Sequence, residues 1–421
     1  MAGKSLQSIR GVHDGLSGEV SRWQQVEQAA RKIFARYAYS EVRLPVLEPT
    51  ELFVRSIGEA TDIVSKEMYA FTDQGGDHIC LRPEGTAGAV RAYLQGGLTR
   101  AGAQRWYYIG PMFRRERPQK GRLRQFQQIG VEMFGVAGPV EDAETLAMAH
   151  AFLSELGISG LSLEINSLGC LTCRPGYRDI LVDYLKIRAE KLCETCNERI
   201  EKNPLRVLDC KLESCQTELV DAPEMIGHLC GECEAHFNGL RQGLDALAVP
   251  YHVNPRIVRG LDYYNRTAFE VVTSQLGAQG TVLAGGRYDG LVQELGGPVT
   301  PAIGFAAGIE RLAMLLDDVE PAKPEIAMVA IGDAVLAYAL QQAAILREAG
   351  LSVVFCGGGS AKRQFKIADR EAVSYVVVVG EDEMQAGQLT LKDMASGEQR
   401  RLDVTVIVSE LLSARSSRVN D

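Results

Sequence analysis

Apolar residues recur at helical spacing through Val20, Trp23, Val26, Ala30, Ile33, Phe34 and Tyr37, which predicts a long opening helix with Ser17 as its N-cap. The period then shortens. Between residues 78 and 135 the apolar runs HICLR, RWYYIG and FQQIGVEMFG are interrupted by glycine and proline, a pattern of antiparallel strands rather than regular strand-helix alternation. After LSLEINSLGC the chain turns polar, helix-prone and cysteine-rich until about residue 240. Strand-like sequence resumes at AFEVV and TVLAGGRYDGL, and AIGFAAGIERLAMLL reads as a strand running into a helix. Proline and acid crowd DDVEPAKPE, residues 317–325, a linker signal. Beyond it IAMVAIG, VLAYALQQAAILREAG, LSVVFC, AKRQFKIADREA and YVVVVG alternate strand and helix as in a small parallel α/β domain. The expected fold class is thus α+β over residues 1–320, interrupted by a helical, cysteine-rich insertion at 170–240, followed by an α/β domain at 326–421.

Composition narrows the setting. With 421 residues, 46% hydrophobic and 24% charged, the chain has the make-up of a multidomain globular protein. No run of eighteen apolar residues predicts a membrane span, and MAGKSLQSIRGVHDG lacks the apolar segment of a secretion signal, so a cytoplasmic location is expected. A net charge of -9 argues against non-specific coating of nucleic acid, but residues 113–124, FRRERPQKGRLR, hold six cations and one acid. Such a run is either a solvated face or a contact for an anion or nucleic acid.

Several groups of residues could carry chemistry. RPEGT places Glu84, Gly85 and Thr86 after a strand. Period-two geometry puts Gln128, Gly130 and Glu132 on one strand face, and Arg114 with Glu116 on one face of the preceding strand, the two joined by the basic loop. Arg311 falls in the first turns of a predicted helix, where the macrodipole disfavours a cation unless an anion or a nearby acid sits against it. RGLDYYNRTAFE sets Arg259, Asp262, Tyr263 and Tyr264 at the mouth of a strand. Two phosphate-loop look-alikes fail: AGKS has no room for the earlier glycine, and CGGGS at 356–360 lacks the lysine and reads as a turn. Eight of the ten cysteines form four close pairs, Cys170/Cys173, Cys193/Cys196, Cys210/Cys215 and Cys230/Cys233. Pairs of this spacing suit structural zinc, nested as Cys170, Cys173, Cys230 and Cys233 at the base and Cys193, Cys196, Cys210 and Cys215 further out; small buried hydrophobes or disulfides are the alternatives.

These segments resemble the three signature motifs of class II aminoacyl-tRNA synthetases. IVRGLDYYNRTAFE, residues 257–270, followed by LAGGRYDGL, resembles the signature of the histidine branch, and the likeness to bacterial histidyl-tRNA synthetases runs from IRGVHD to GED at 380–382. The resemblance implies activation of L-histidine by ATP with Mg2+, transfer to histidine tRNA, a catalytic domain at 1–320 and an anticodon-binding domain at 326–421. It implies that Glu132 and Tyr264 address the two imidazole nitrogens, that Glu84 and Thr86 hold the ammonium, that Gln128 and Tyr288 complete the pocket, and that Gly85 and Tyr263 also belong to the histidine site. Arg259, Arg114 and Arg311 would be catalytic cations around the α-phosphate, Phe126 would stack on adenine, and Glu116 would lie near its amino group. Arg117 and Gln119 match loop positions that read the extra guanosine of histidine tRNA, and RLPVLEPTELFVRSIGE resembles the class II dimer interface, implying a homodimer. The rival reading is a non-catalytic paralogue, the regulatory subunit of ATP phosphoribosyltransferase. Retention of the arginines, the signature and the C-terminal domain speaks against it.

Overall fold

The computed structural model describes residues 6–58, 61–277, 280–318, 320 and 323–418, the side chains of 416–418 excepted. The chain divides into two compact units, Met1–Val319 and Glu320–Asp421. Within the linker stretch, residues 319, 321 and 322 lie outside the described residues, as do residues 2–5 of the AGKS look-alike.

The first unit is built on an eight-stranded sheet. Its strands, in chain order, are β1 Ser40–Glu41, β2 Gln104–Phe113, β3 Gln125–Phe134, β4 Leu161–Ser167, β5 His252–Val253, β6 Asn265–Thr273, β7 Thr281–Arg287 and β8 Ala302–Gly308. Across the sheet they run β1-β2-β3-β8-β7-β6-β4-β5, antiparallel at every central pairing and parallel only at the two short edge strands. One face is greasy. Ile129, Val131, Met133, Ile303 and Phe305 pack there under the helices Ser17–Arg36, Pro139–Glu155 and Gly231–Ala246, in a core that also takes Val26, Phe34, Phe152 and Leu240. Burying one such side chain stabilises the fold by about 1.5–3 kcal/mol, and that fixes which face of each strand looks inward.

The opening helix spans Ser17–Arg36 as its periodicity predicts, but Ser17 is the first helical residue and Leu16 occupies the cap position without a side-chain cap hydrogen bond. The insertion forms the helices Arg174–Lys186, Glu194–Lys202 and Glu213–Glu218 around its own small core, with Tyr177, Leu181, Leu185 and Val207 buried among cysteines.

In the second unit, strands Val353–Phe355, Ile326–Ala330 and Tyr375–Val379 are parallel neighbours, as expected. The sheet is nevertheless mixed, because Leu389–Asp393 and Gln399–Leu402 add an antiparallel hairpin at one edge. Helix Ala361–Glu371 is capped by the Ser360 hydroxyl, which accepts from the Arg363 N–H at 3.4 Å. Gln364 is fully buried and its amide bonds both the N–H and the carbonyl of Ala330, so Lys362, Arg363, Lys366 and Arg370 are left on the exposed face.

Candidate active site

The second face of the large sheet is paved with small residues. In register, Gly130 lies between Tyr108 on β2 and Ala306 on β8, Glu132 lies beside Gly304, Gln128 beside Gly308, and Ala284 and Gly286 of β7 continue the row. A floor with so few side chains leaves volume for a ligand. Gly130 of this floor and Gly85, at the N-cap of helix Thr86–Gln95, are both obligatory, since a Cβ at Gly130 or Gly85 would come within 2.0 or 2.2 Å of the Tyr108 ring, which lies flat across them.

Above this floor is a cavity of about 810 Å³ whose walls include Glu84, Thr86, Arg114, Gln128, Arg259, Tyr263, Tyr264, Glu270 and Arg311. A second cavity of about 390 Å³ adjoins it, sharing Arg114, Gln128 and Arg311 and adding Glu116 and Phe126. Tyr263 and Tyr264 pack with ring centroids 4.6 Å apart, and Tyr263 meets Tyr288 edge-on at 5.7 Å. Glu132 and Tyr288 lie beneath the wall. The Glu132 carboxylate, 1% exposed, accepts from Thr86 Oγ1 at 2.7 Å, from the Tyr108 hydroxyl at 3.2 Å and from the Tyr288 hydroxyl. Burial pushes its pKa up to about 8, against the lowering effect of the Tyr288 and Thr86 hydroxyls. Glu84 is buried as well, and burial likewise raises its carboxyl. It accepts from the backbone N–H groups of Thr86 at 2.6 Å and Ala87 at 2.9 Å, which caps helix Thr86–Gln95 and fixes the carboxylate at the cavity wall.

The three arginines are held by different means. Arg259 gives Nη1 to Glu270 Oε1 at 2.6 Å, and its guanidinium carbon stands 5.1 Å from the Tyr264 ring centre. Arg114 donates Nε to the Pro83 carbonyl at 2.9 Å and stands 5.4 Å over Phe126. Burial and the neighbouring Arg122 both disfavour the charge on Arg311, the setting in which an anion is most welcome. Two buried polar atoms at the wall, Gln128 Oε1 and the Tyr263 hydroxyl, have no hydrogen-bond partner among the described residues. Burying such atoms unpaired costs about 1–3 kcal/mol each, a cost that a complementary ligand would relieve.

Some sequence expectations change here. Arg114 and Glu116 do not sit in a strand: β2 ends at Phe113, because the Arg115 N–H turns away to the Glu67 carbonyl at 2.7 Å. They still face each other, with Arg114 Nη1 3.9 Å from Glu116 Oε1, while Glu116 also pairs with Arg122 at 2.8 Å. The helix bearing Arg311 is only Ile309–Ala313, too short for distinct dipole ends, so the macrodipole argument lapses and the cavity wall itself gives Arg311 its significance. Arg117 and Gln119 are exposed in the basic loop and line neither cavity.

Sequence reasoning missed Tyr108 and Glu270. Glu270 was discoverable, since it lies two residues after Ala268 on β6 and therefore on the cavity face. Also unforeseen was a buried network on the opposite face. Asp142 accepts from Arg287 Nε at 2.8 Å and Thr267 Oγ1 at 2.5 Å and bonds His236 Nε2 at 2.8 Å, while Arg287 reaches Asp289 at 2.7 Å and the Val136 carbonyl at 2.7 Å.

The insertion's thiols gather in the nested grouping. Cys170, Cys173, Cys230 and Cys233 form one set and Cys193, Cys196, Cys210 and Cys215 the other, with the sulfurs of each set within 4.8 Å of one another. All ten cysteines are free thiols.

Comparison with known proteins places this geometry in context. A family model described as histidyl-tRNA synthetase matches residues 11–312, and one described as anticodon binding domain matches residues 325–414. A histidine–tRNA ligase of Trichlorobacter lovleyi is 50% identical over 399 residues, covering 94% of this chain and 95% of its own. One of Anaeromyxobacter dehalogenans is 50% identical over 411 residues, covering 96% and 98%. Among solved structures, apo S. aureus histidyl-tRNA synthetase superposes with a TM-score of 0.81 at 33% identity, covering 96% of this chain and 99% of that one.

Proposed function

The chain belongs to the histidyl-tRNA synthetase family and is a histidine–tRNA ligase, and we propose that it activates L-histidine with ATP, then charges histidine tRNA, in the paired cavities above the β3 floor. One observation carries this reading: Arg114, Arg259 and Arg311 line the same cavity as Gln128 and Tyr263, whose buried polar atoms lack protein partners. The regulatory-subunit reading is less supported, since such a protein has no need of three cations around one pocket.

In this reading the substrate imidazole meets Tyr264 and the Glu132 cluster. A site that addresses both ring nitrogens rejects other amino acids by leaving its buried polar groups unpaired. A ring N–H donated to Glu132 would favour the carboxylate form, offsetting the burial that raises its pKa. Glu84 keeps acceptor capacity beyond its two backbone bonds, enough to hold the substrate ammonium together with Thr86 and Gln128.

ATP enters as its magnesium complex, with adenine against Phe126 and its amino group toward Glu116. A carboxylate oxygen of histidine attacks the α-phosphorus, the bond to the bridging oxygen breaks, and pyrophosphate leaves with the electron pair. No base is needed, because the nucleophile is already ionised. Arg114, Arg259 and Arg311 offset the negative charge that gathers on the phosphoryl oxygens. The terminal ribose hydroxyl of tRNA then attacks the acyl carbon and AMP departs. Arg117 and Gln119 on the basic loop contact the acceptor end, and the exposed Lys362, Arg363, Lys366 and Arg370 belong to the anticodon side. The working protein is a cytoplasmic homodimer that pairs through the region of residues 43–59, and the thiol groups of the insertion hold structural zinc. No helix among the described residues is long and apolar enough to cross a membrane.

Histidine-dependent exchange of labelled pyrophosphate into ATP, followed by charging of histidine tRNA with and without its extra guanosine, tests the proposal. Exchange with histidine and charging that favours the guanosine-bearing tRNA are expected; a protein that binds histidine without exchanging pyrophosphate would overturn it.

A further inference from the structure

The loop 256–264, which carries Arg259, Tyr263 and Tyr264, includes no helix or strand residue, yet it forms one wall of the cavity. Besides Asn166 of β4, which donates to the Ile257 carbonyl at 2.9 Å, and the Arg259–Glu270 pair, several of its anchors come from the insertion. On one side, Arg174, next in sequence to Cys173, donates Nε to the Leu168 carbonyl at 3.1 Å and Nη2 to the Tyr264 carbonyl. The same flank pairs backbone to backbone where β6 begins, Arg266 N–H to Gly169 at 2.8 Å and Leu168 N–H to Arg266 at 2.7 Å. On the other side, the segment between Cys196 and Cys210 reaches the loop twice. Asn203 Nδ2 donates to Asp262 Oδ1 at 2.7 Å, and Arg206 Nη1 donates to the Gly260 carbonyl at 3.0 Å.

Each of these insertion anchors thus springs from one of the two thiol groups. The insertion's buried core has fourteen residues, five of them cysteines, too few apolar groups to hold these anchors firmly without a staple. The sulfurs are spaced for one. A zinc ion with Zn–S bonds of about 2.3 Å at the centre of a tetrahedron requires sulfurs about 3.8 Å apart. Cys170 stands 3.6 Å from Cys173 and 3.8 Å from Cys230, and Cys193 stands 4.0 Å from Cys210. Backbone N–H groups point at the sulfurs, Cys230 to Cys173 at 3.1 Å, Cys193 to Cys215 at 3.2 Å and Cys196 to Cys193 at 3.4 Å, which suits thiolate charge. Four sulfur donors with no oxygen or nitrogen select a soft, tetrahedral ion over magnesium or calcium.

We propose that the insertion binds two zinc ions, and that each fixes one clasp on the loop 256–264, so that metal occupancy sets the shape of the substrate pocket. This rests on the reading of that pocket given above, and the metal content is measured without reference to activity.

Elemental analysis of full-length protein purified without chelator should find two zinc ions per chain. The pairs Cys170→Ser with Cys230→Ser, and Cys193→Ser with Cys215→Ser, should each retain one, and cobalt substitution should give the visible bands of tetrahedral sulfur coordination. Asn203→Ala and Arg174→Met leave every thiol in place. They should keep both zinc ions yet raise the histidine KM about tenfold with a smaller change in kcat, the scale on which groups just outside a metal site act. Less than one zinc per chain, iron in its place, or clasp variants with wild-type KM would each overturn the proposal. Wild-type protein with two zinc ions but no histidine exchange would instead count against the functional reading alone.

Discussion

Two buried polar clusters lie back to back across the large sheet, and they are finished differently. On the helix-covered face, Asp142 and Arg287 are fully buried, and every polar atom of theirs finds a partner in His236, Thr267, Asp289, the Val136 carbonyl or each other. On the cavity face, Glu132 already accepts from three hydroxyls, but around it Gln128 Oε1, the Tyr263 hydroxyl and Arg259 Nε have no partner among the described residues. The first cluster is closed and holds helices Pro139–Glu155 and Gly231–Ala246 to the strands. The second keeps valences open, which costs stability and is useful only if a substrate completes them.

The comparison breaks most visibly at its closed half. Asp142→Ala strands the buried Arg287 charge with Asp289 alone, and unfolding of the first unit should become easier by about 3–5 kcal/mol, measured by denaturant titration. Histidine KM in the fraction that stays folded should hardly move. Next in size, Arg259→Ala should lower the rate of histidine-dependent pyrophosphate exchange about 10²–10³-fold while leaving the melting temperature close to wild type. Gln128→Met should show the opposite sign in the two assays, with stability unchanged or raised by up to about 1 kcal/mol and histidine KM raised about tenfold, because an unsatisfied atom is replaced by a similar apolar volume.

The smallest effect concerns pH. Glu132 is raised from an ordinary 4.5 to about 8, so between those values the folded protein keeps a proton that the unfolded chain gives up. Stability therefore falls as pH rises through that window. Glu132→Gln should flatten the fall. Between pH 5 and pH 8 the ligand-free wild type should lose a few degrees more of melting temperature than the variant, roughly what 1–2 kcal/mol means for a unit of this size. Equal slopes would show that Glu132 does not titrate as its burial demands.

Legibility in the sequence followed the same division. The period-two spacing of Gln128, Gly130 and Glu132 placed them on one face, whereas the glycines of GGR and AIGF read only as parts of strands, and their place on the open face came from the strand register. The thiol grouping was legible because nesting follows from an insertion whose ends meet. The closed cluster was not, because Asp142 and Arg287 are 145 residues apart and neither stretch carries a local signal for the other. The strand end at Phe113 was hidden for a similar reason, since its cause is a carbonyl at Glu67. In the second unit, the strand Gln399–Leu402 is mostly exposed, so it lacks the apolar alternation that would reveal an antiparallel edge.

Tyr108 has one more consequence. Its ring is buried beneath the cavity wall, where its hydroxyl reaches Glu132, and two bare α-carbons, at Gly85 and Gly130, let it lie that low. A methyl group at either glycine would lift the ring and, through its hydroxyl, press on the Glu132 carboxylate, whereas trimming the ring would leave a void beneath that carboxylate.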